Sequence, residues 1–282
     1  MAAAGYTDRT TDIGGLSFHF TDWGGDGPPL VLLHGLSGHA RTWDHTAAAL
    51  SDRYRVLALD QRGHGDTDPA PSYGFTAMAG DLLAFLDNLG LPRITLAGLS
   101  MGGIVSFVFA SKHPERVSRL AVLDIGPEIA PAGAQNVAAS MSAQDTFESE
   151  DEAFALARAA NPRPSDATLR HRVQHNLRAL PDGRLTLKFD KALRRPGAIF
   201  DATAEQLWAA WRSVRCPVLL IRGDDSDILA AATAQRMLAE NDHAELVTIA
   251  DCGHSITSDR PEALLDVLAP WLTAPQRTGA AS

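Results

Sequence analysis

The run Gly98-Leu99-Ser100-Met101-Gly102-Gly103 sets one serine among small residues, directly after the apolar stretch Ile94-Thr95-Leu96-Ala97 and before an apolar helix starting near Met101. A strand–turn–helix context of this kind presents a serine hydroxyl as a nucleophile for acyl transfer. The turn is tight enough to strain the central residue. Side chains at the flanking positions would strike the neighbouring strand and helix, so glycine is the residue that fits. The helix N-terminus behind the serine favours developing negative charge. A serine hydroxyl is a weak nucleophile at neutral pH and needs a base within hydrogen-bond reach. Of the ten histidines, His254 is the candidate. It follows the apolar run Leu246–Ile249 on a short loop and so emerges at the same sheet edge as Ser100. His113, His171, His175 and His243 fall on helical or surface patterns and are read as solvated.

The elements that must hold these groups are legible as alternating patterns. Six short apolar runs end in Leu33, Leu59, Ala97, Leu123, Ile221 and Ile249, starting at Leu30, Val56, Ile94, Leu120, Val218 and Leu246. Continuous rather than alternating apolar character marks parallel strands buried on both faces. Leu16 to Trp23 alternates and suits an antiparallel edge strand. Helical spacing covers Phe75–Leu89, 101–113, 229–240, 261–272 and the segment around Trp208–Trp211. The fold class is therefore α/β, with helices wrapped around a mainly parallel sheet. The stretch 126–205 breaks the rhythm. It carries helical patterns over Asp151–Ala160 and Ala167–Leu180, the latter with Leu169, Val173, Leu177 and Leu180 on one face. A structureless loop of that length would be unusual. Residues 1–125 and 206–282 are thus expected to form the core, and 126–205 a helical cap or lid over one end of the sheet.

The chain has 282 residues and a formal net charge of −9. The acidic balance argues against a nucleic-acid partner and against an anionic membrane surface. No apolar run approaches the roughly 20 residues needed to span a bilayer. Two cysteines, Cys216 and Cys252, imply neither a disulfide framework nor a zinc site. The N-terminus lacks a basic stretch followed by an apolar core, so a cytoplasmic location is expected. No cofactor or metal is expected, the partner is a small-molecule substrate, and oligomeric state is not readable.

In sequence order, His34-Gly35-Leu36-Ser37-Gly38, Asp60-Gln61-Arg62-Gly63-His64-Gly65, Gly98–Gly102 and Gly253-His254 resemble the landmarks of the α/β-hydrolase family. The resemblance spans Leu16 to Leu272. It implies an eight-stranded, mostly parallel sheet with a helical cap inserted after the sixth strand, and a catalytic triad. The third member is a carboxylate that orients the imidazole and stabilises its charged form. Similar hydrolases place it in the loop after Val218–Ile221, which reads Arg222-Gly223-Asp224-Asp225-Ser226-Asp227-Ile228-Leu229. Asp227, just before the Ile-Leu step, is the first choice. Its spacing from Gly223 is one residue longer than the common pattern, which keeps Asp225 and Asp224 open. Asp124, after the sixth strand, is a fourth candidate, because some relatives carry the acid there. The resemblance also implies that the backbone N–H groups of Leu36 and Met101 form an oxyanion hole. His34 and His64 fix loops near the site, and His34 and Gly35 are further expected to border the substrate. Arg62–Gly65 is not a phosphate loop, since no lysine or P-loop spacing follows.

A serine at the elbow disfavours the aspartate-nucleophile dehalogenases and epoxide hydrolases of this fold. The loop His34–Ala40 lacks the Gly-Pro-Gly form usual in carbon–carbon bond hydrolases. Hydrolysis of a small carboxylic ester or lactone through an acyl-enzyme is the leading expectation. Amide or enamide hydrolysis with the same triad, or a slow-turnover ligand receptor, are the alternatives. The pattern Arg170-His171-Arg172 and Arg178 adds a hypothesis: Arg172 or Arg178 binds a substrate carboxylate through its fork of donors. A solvated helix face is the competing reading.

Overall fold

The computed structural model describes residues 5–195 and 197–274. Its strands are β1 (Thr7–Ile13), β2 (Leu16–Asp22), β3 (Pro29–Leu33), β4 (Arg55–Leu59), β5 (Ile94–Leu99), β6 (Val117–Leu123), β7 (Thr146–Phe147), β8 (Leu177–Ala179), β9 (Leu185–Leu187), β10 (Val218–Gly223) and β11 (Ala244–Ile249). Eight of them form one sheet in the order β1-β2-β4-β3-β5-β6-β10-β11. β1–β2 and β2–β4 are antiparallel and the remaining pairings are parallel. The α-helices are α1 (Asp44–Leu50), α2 (Phe75–Asn88), α3 (Met101–Lys112), α4 (Pro131–Ser142), α5 (Glu150–Ala160), α6 (Asp166–His175), α7 (Ala204–Ser213), α8 (Ala231–Ala239), α9 (Ile256–Asp259) and α10 (Pro261–Thr273). No helix among the described residues is long and apolar enough to cross a membrane.

The continuous apolar strands are explained by two cores, one on each face. Successive side chains of a strand point to opposite faces. Val31 and Leu33 therefore join α2, α3, α7 and α8 in one cluster, while Leu30 and Leu32 join α1 and α10 in the other. Trp43, Trp208 and Trp211 are fully buried in these layers. β2 is antiparallel as expected, but it is not the edge. Thr7–Ile13 pairs along its whole length. That strand is mostly polar and exposed, so it lacks the apolar alternation that would announce it.

The insertion 126–205 is only partly helical. α5 and α6 form where helical spacing predicts them, each opened by a serine cap, with Ser149 accepting from the Glu152 N–H and Ser165 from the Thr168 N–H. The helix expected over 167–180 instead stops at His175. Leu177–Ala179 pairs with Leu185–Leu187 in a three-stranded antiparallel sheet, β7-β9-β8. The local sequence Leu180-Pro181-Asp182-Gly183 decides this. It is turn chemistry, and the hairpin closes with the Leu180 N–H donating to the Arg184 carbonyl at 2.7 Å. Leu177 keeps its buried place in a small core with Phe147, Ala153 and Val173, so an i, i+4, i+8 pattern was satisfied by a helix followed by a strand.

The insertion is pinned to loops leaving the carboxyl ends of the core strands. The Asn176 side chain donates to the Ser37 carbonyl after β3 at 3.0 Å. The Gly65 N–H after β4 donates to the Lys188 carbonyl at 2.7 Å, and Lys188 pairs with Asp66 at 2.7 Å. Arg163 pairs with Asp225 after β10 at 2.9 Å. The loops it covers are those that carry the candidate catalytic groups.

Candidate active site

Ser100 stands between the end of β5 and the first residue of α3, with φ 54° and ψ −121°. That left-handed backbone is costly for a residue with a Cβ and is held by its surroundings. The Ser100 N–H donates to the Leu123 carbonyl at 2.9 Å, tying the turn to the end of β6. Two glycines leave room for it. A Cβ on Gly98 would lie 2.2 Å from the Gly102 carbonyl oxygen, and a Cβ on Gly102 would lie 2.5 Å from the Leu33 carbonyl oxygen. Both obstacles are backbone, so neither can swing away. Gly102→Ala is therefore expected to destabilise the protein by about 2 kcal/mol or more, read as a lowered midpoint in urea unfolding.

His254 lies on the loop after β11. Its Nδ1 is 2.8 Å from Oδ2 of Asp124, the residue that follows β6. Asp124 is fully buried and, like Ser100, has a left-handed φ, at 52°. Its Oδ1 accepts from the Gly223 N–H at 3.0 Å, and its Oδ2 also accepts from the Ser226 hydroxyl. With Nδ1–H donating to Asp124, the imidazole keeps Nε2 as an unprotonated acceptor. Among the described residues, neither Ser100 Oγ nor His254 Nε2 has a hydrogen-bond partner, and no bond joins them. Such contacts commonly tighten only when substrate is bound.

The carboxylate beside His254 is thus Asp124 and not Asp227. Asp227 points to the insertion, where its Oδ2 accepts from Asn136 Nδ2 at 2.6 Å. Asp224 accepts from the Asp251 and Cys252 N–H groups, and Asp225 pairs with Arg163, so all three loop aspartates are used to brace neighbouring segments. The reason lies in strand order. β6 sits between the nucleophile strand β5 and β10, and Leu99 is level with Leu123. The first residue past β6 is therefore beside Ser100. From the extra-long loop after β10, Ser226 is the residue that reaches Asp124, and its Oγ in turn accepts from the Ile228 and Leu229 N–H groups. Sequence reasoning missed Ser226 and Gly223, and it had Asp124 only as an alternative. The available signal was an acidic residue directly at the end of a buried strand, in Leu123-Asp124-Ile125-Gly126-Pro127.

The loop after β3 comes up against the nucleophile. A Cβ on Gly35 would stand 3.2 Å from Ser100 Cβ. The N–H groups of Leu36 and Met101 have no acceptor among the described residues, as an oxyanion hole requires. His34 is turned into the protein, against the loop after β4. It is fully buried, its Nε2 accepts from the Gln61 N–H at 3.0 Å, and its Nδ1–H donates to the Gly35 carbonyl at 2.7 Å. Burial pushes its pKa down to about 4, and that of His64 down to about 3. Both rings are neutral struts of the loops around Ser100.

The loop of His254 is braced from two sides. The Gly253 N–H donates to Asp259 Oδ2 at 3.0 Å, and Asn161 of the insertion donates to Asp259 Oδ1 at 2.7 Å. Asp259 and Asn161 carried no motif and were missed. The two arginines of the insertion part company. Arg178 is exposed on β8, whereas Arg172 is half-buried on α6, its carbonyl accepting from His39 Nε2 at 3.1 Å. His19, Asp60 and Asp66 also bring ligand-type atoms together. They are engaged with one another instead. His19 Nδ1–H donates to Asp60 at 2.7 Å, and Asp60 accepts the Asp66 and Ala40 N–H groups. Although burial opposes it, the His19 bond holds Asp60 at about 2. This cluster anchors the loop after β4. Cys216 and Cys252 are both free and buried.

Comparison with known proteins agrees with this architecture. The family model described as alpha/beta hydrolase fold matches residues 28–261. The chain is 26% identical over 278 residues to a 2-(acetamidomethylene)succinate hydrolase of Mesorhizobium japonicum, covering 97% of this chain and 98% of that one. It is 27% identical over 261 residues to a 3-hydroxybutyrate-oligomer hydrolase of Cupriavidus necator, covering 86% and 87%. The crystal structure of an E-2-(acetamidomethylene)succinate hydrolase superposes with a TM-score of 0.86 at 25% identity, over 96% of this chain and 100% of that one. A family match over most of the chain, on an eight-stranded sheet with a nucleophile elbow at the end of its fifth strand, makes this chain a member of the α/β-hydrolase family.

Proposed function

We propose that the protein is a serine hydrolase that cleaves a small carboxylic ester or lactone through an acyl-enzyme. The observation that carries the reading is the fully buried Asp124 hydrogen-bonded to His254 Nδ1, beside a serine held in a left-handed elbow. Ser100 Oγ attacks the carbonyl carbon while its proton passes to His254 Nε2. Asp124 holds the ring and stabilises the imidazolium that forms. The carbonyl oxygen becomes an oxyanion facing the Leu36 and Met101 N–H groups. The C–O bond to the leaving group breaks, and His254 Nε2–H protonates the departing oxygen. Water then adds to the acyl-enzyme with His254 again as base, releasing the acid and restoring Ser100.

Esters are preferred to amides because an alkoxide leaves more readily, and an oligoester hydrolase is among the relatives. Hydrolysis of an enamide-type bond is the second reading, supported by the likeness to the 2-(acetamidomethylene)succinate hydrolase along almost the whole chain. A fluorophosphonate is expected to add once, at Ser100, with loss of p-nitrophenyl butyrate turnover in step with labelling. Peptide mass spectrometry reads the site. Labelling at another residue, or none, would refute the serine mechanism.

A further inference from the structure

Arg172 is unlike the other arginines of the insertion. Arg158, Arg163, Arg170, Arg184 and Arg194 each pair with a carboxylate. Arg178 is exposed and solvated. The Arg172 side chain is half-buried, and its guanidinium has neither an ion pair nor a hydrogen bond among the described residues. Burial lowers its pKa from the ordinary value, and only Asp259 opposes that. Asp259 forms no ion pair with it, and its two oxygens accept from Asn161 and from the Gly253 N–H. A half-buried cation without a partner has lost part of its hydration with nothing in the protein to replace it. Such groups persist where something else completes them.

The position is defined from two sides. The Arg172 carbonyl accepts from His39, five residues along the loop from His34, whose Gly35 lies against Ser100. The guanidinium is in the field of Asp259, which holds the residue preceding His254. Arg172 therefore lies between the oxyanion loop and the histidine loop. Among the other basic groups nearby, His39 and His175 are held neutral, with pKa values pushed down to about 4 by burial, and Arg163, whose Nη1 would stand 3.0 Å from a Cβ on Gly253, is paired with Asp225. Arg172 is thus a cation left without a carboxylate partner between these two loops.

We infer that Arg172 receives a second, free carboxylate of the substrate, so that the enzyme acts on acidic esters or lactones, such as half-esters of dicarboxylic acids. This rests on the ester-hydrolase reading above. The guanidinium fork matches a carboxylate through two parallel N–H···O bonds, and in a half-buried setting that match replaces the hydration each ion gives up. The second carboxylate also fixes the distance from the anchor to the carbonyl that Ser100 attacks.

The test compares mono-p-nitrophenyl glutarate with p-nitrophenyl glutaramate, its neutral analogue of equal length. The wild type is expected to favour the acid by about tenfold or more in kcat/KM. Arg172→Gln is expected to lower kcat/KM for the acid by about 100-fold, at least 30 times more than for the amide. Arg172→Lys recovers part of the loss, and Arg170→Ala, on the same helix, leaves the acid preference intact. Equal losses on both esters in Arg172→Gln and Arg172→Lys, or no acid preference in the wild type, would overturn the inference. A calorimetric arm separates this from the catalytic reading. Ser100→Ala protein is expected to bind glutarate, and the double variant with Arg172→Gln is not. If neither ester is hydrolysed but Arg172-dependent glutarate binding remains, the ester reading fails and the carboxylate site stands. Absence of glutarate binding to Ser100→Ala protein overturns the site itself.

Discussion

Ser100→Ala is expected to lower kcat on p-nitrophenyl butyrate by about six orders of magnitude, leaving only what binding and the oxyanion donors supply. The effect is large because the variant removes the atom that forms the covalent intermediate, and no neighbouring hydroxyl can stand in. Ser226, whose hydroxyl reaches Asp124, is committed to that carboxylate and to two backbone N–H groups. The loss should not come from unfolding. Alanine keeps the left-handed turn at φ 54° no better than serine does. Glycine adopts that conformation without steric cost, so Ser100→Gly is expected to be equally inactive yet more stable than Ser100→Ala by about 1 kcal/mol. Urea unfolding of the three proteins reads the stability, and stopped assays at high enzyme concentration read the residual rate. Residual turnover within tenfold of wild type would exclude Ser100 as nucleophile.

Asp124→Asn is expected to lower kcat by about four orders of magnitude, while Asp227→Asn stays within about threefold of wild type. An amide at position 124 offers one acceptor where the carboxylate serves three donors: His254 Nδ1–H, the Gly223 N–H and the Ser226 hydroxyl. Its NH2 group, set against these donors in a fully buried place, drives the imidazole toward the tautomer with Nε2 protonated. That tautomer cannot take the proton from Ser100. It also leaves the imidazolium without a counter-charge. Asp227 has none of these connections, since its carboxylate meets the exposed Asn136. The paired measurement decides between the two aspartates. A larger loss in Asp227→Asn than in Asp124→Asn would restore the loop after β10 as the source of the acid.

The insertion meets the loops around Ser100 and His254 through backbone and side-chain hydrogen bonds. Asn176 holds the Ser37 carbonyl of the oxyanion loop, and Asn161 holds Asp259 beneath the histidine loop. One segment of chain thus touches both of the loops that must keep their geometry while an acyl group is transferred. With Arg172 as the proposed carboxylate anchor, specificity and loop bracing fall on one segment, since α6 carries Arg172 and ends at the residue before Asn176.

How far each part was readable follows from the range of the interactions behind it. The six buried strands announced themselves because burial on two faces demands unbroken apolar runs, a demand each run satisfies on its own. The elbow was readable for a similar reason: its glycines answer clashes with the strand and helix on either side of it in the chain. Ser100 and His254 followed from their places at the ends of strands. β1 was not readable, because its pairing with β2 depends on backbone bonds that its polar, exposed side chains do not signal. The end of α6 depended on turn residues beyond the apolar pattern that suggested a longer helix. The acid partner of His254 was decided in three dimensions. Aspartates at 124, 224, 225 and 227 are chemically equivalent in the chain. Only the placement of β6 between β5 and β10 puts one of them, Asp124, beside Ser100 and under the ring of His254. The same holds for Arg172 and Arg178. Sequence offered Arg172 or Arg178 as a carboxylate ligand, and tertiary packing half-buried the first without a partner and left the second in solvent, because α6 lies over the core loops and β8 does not bury Arg178.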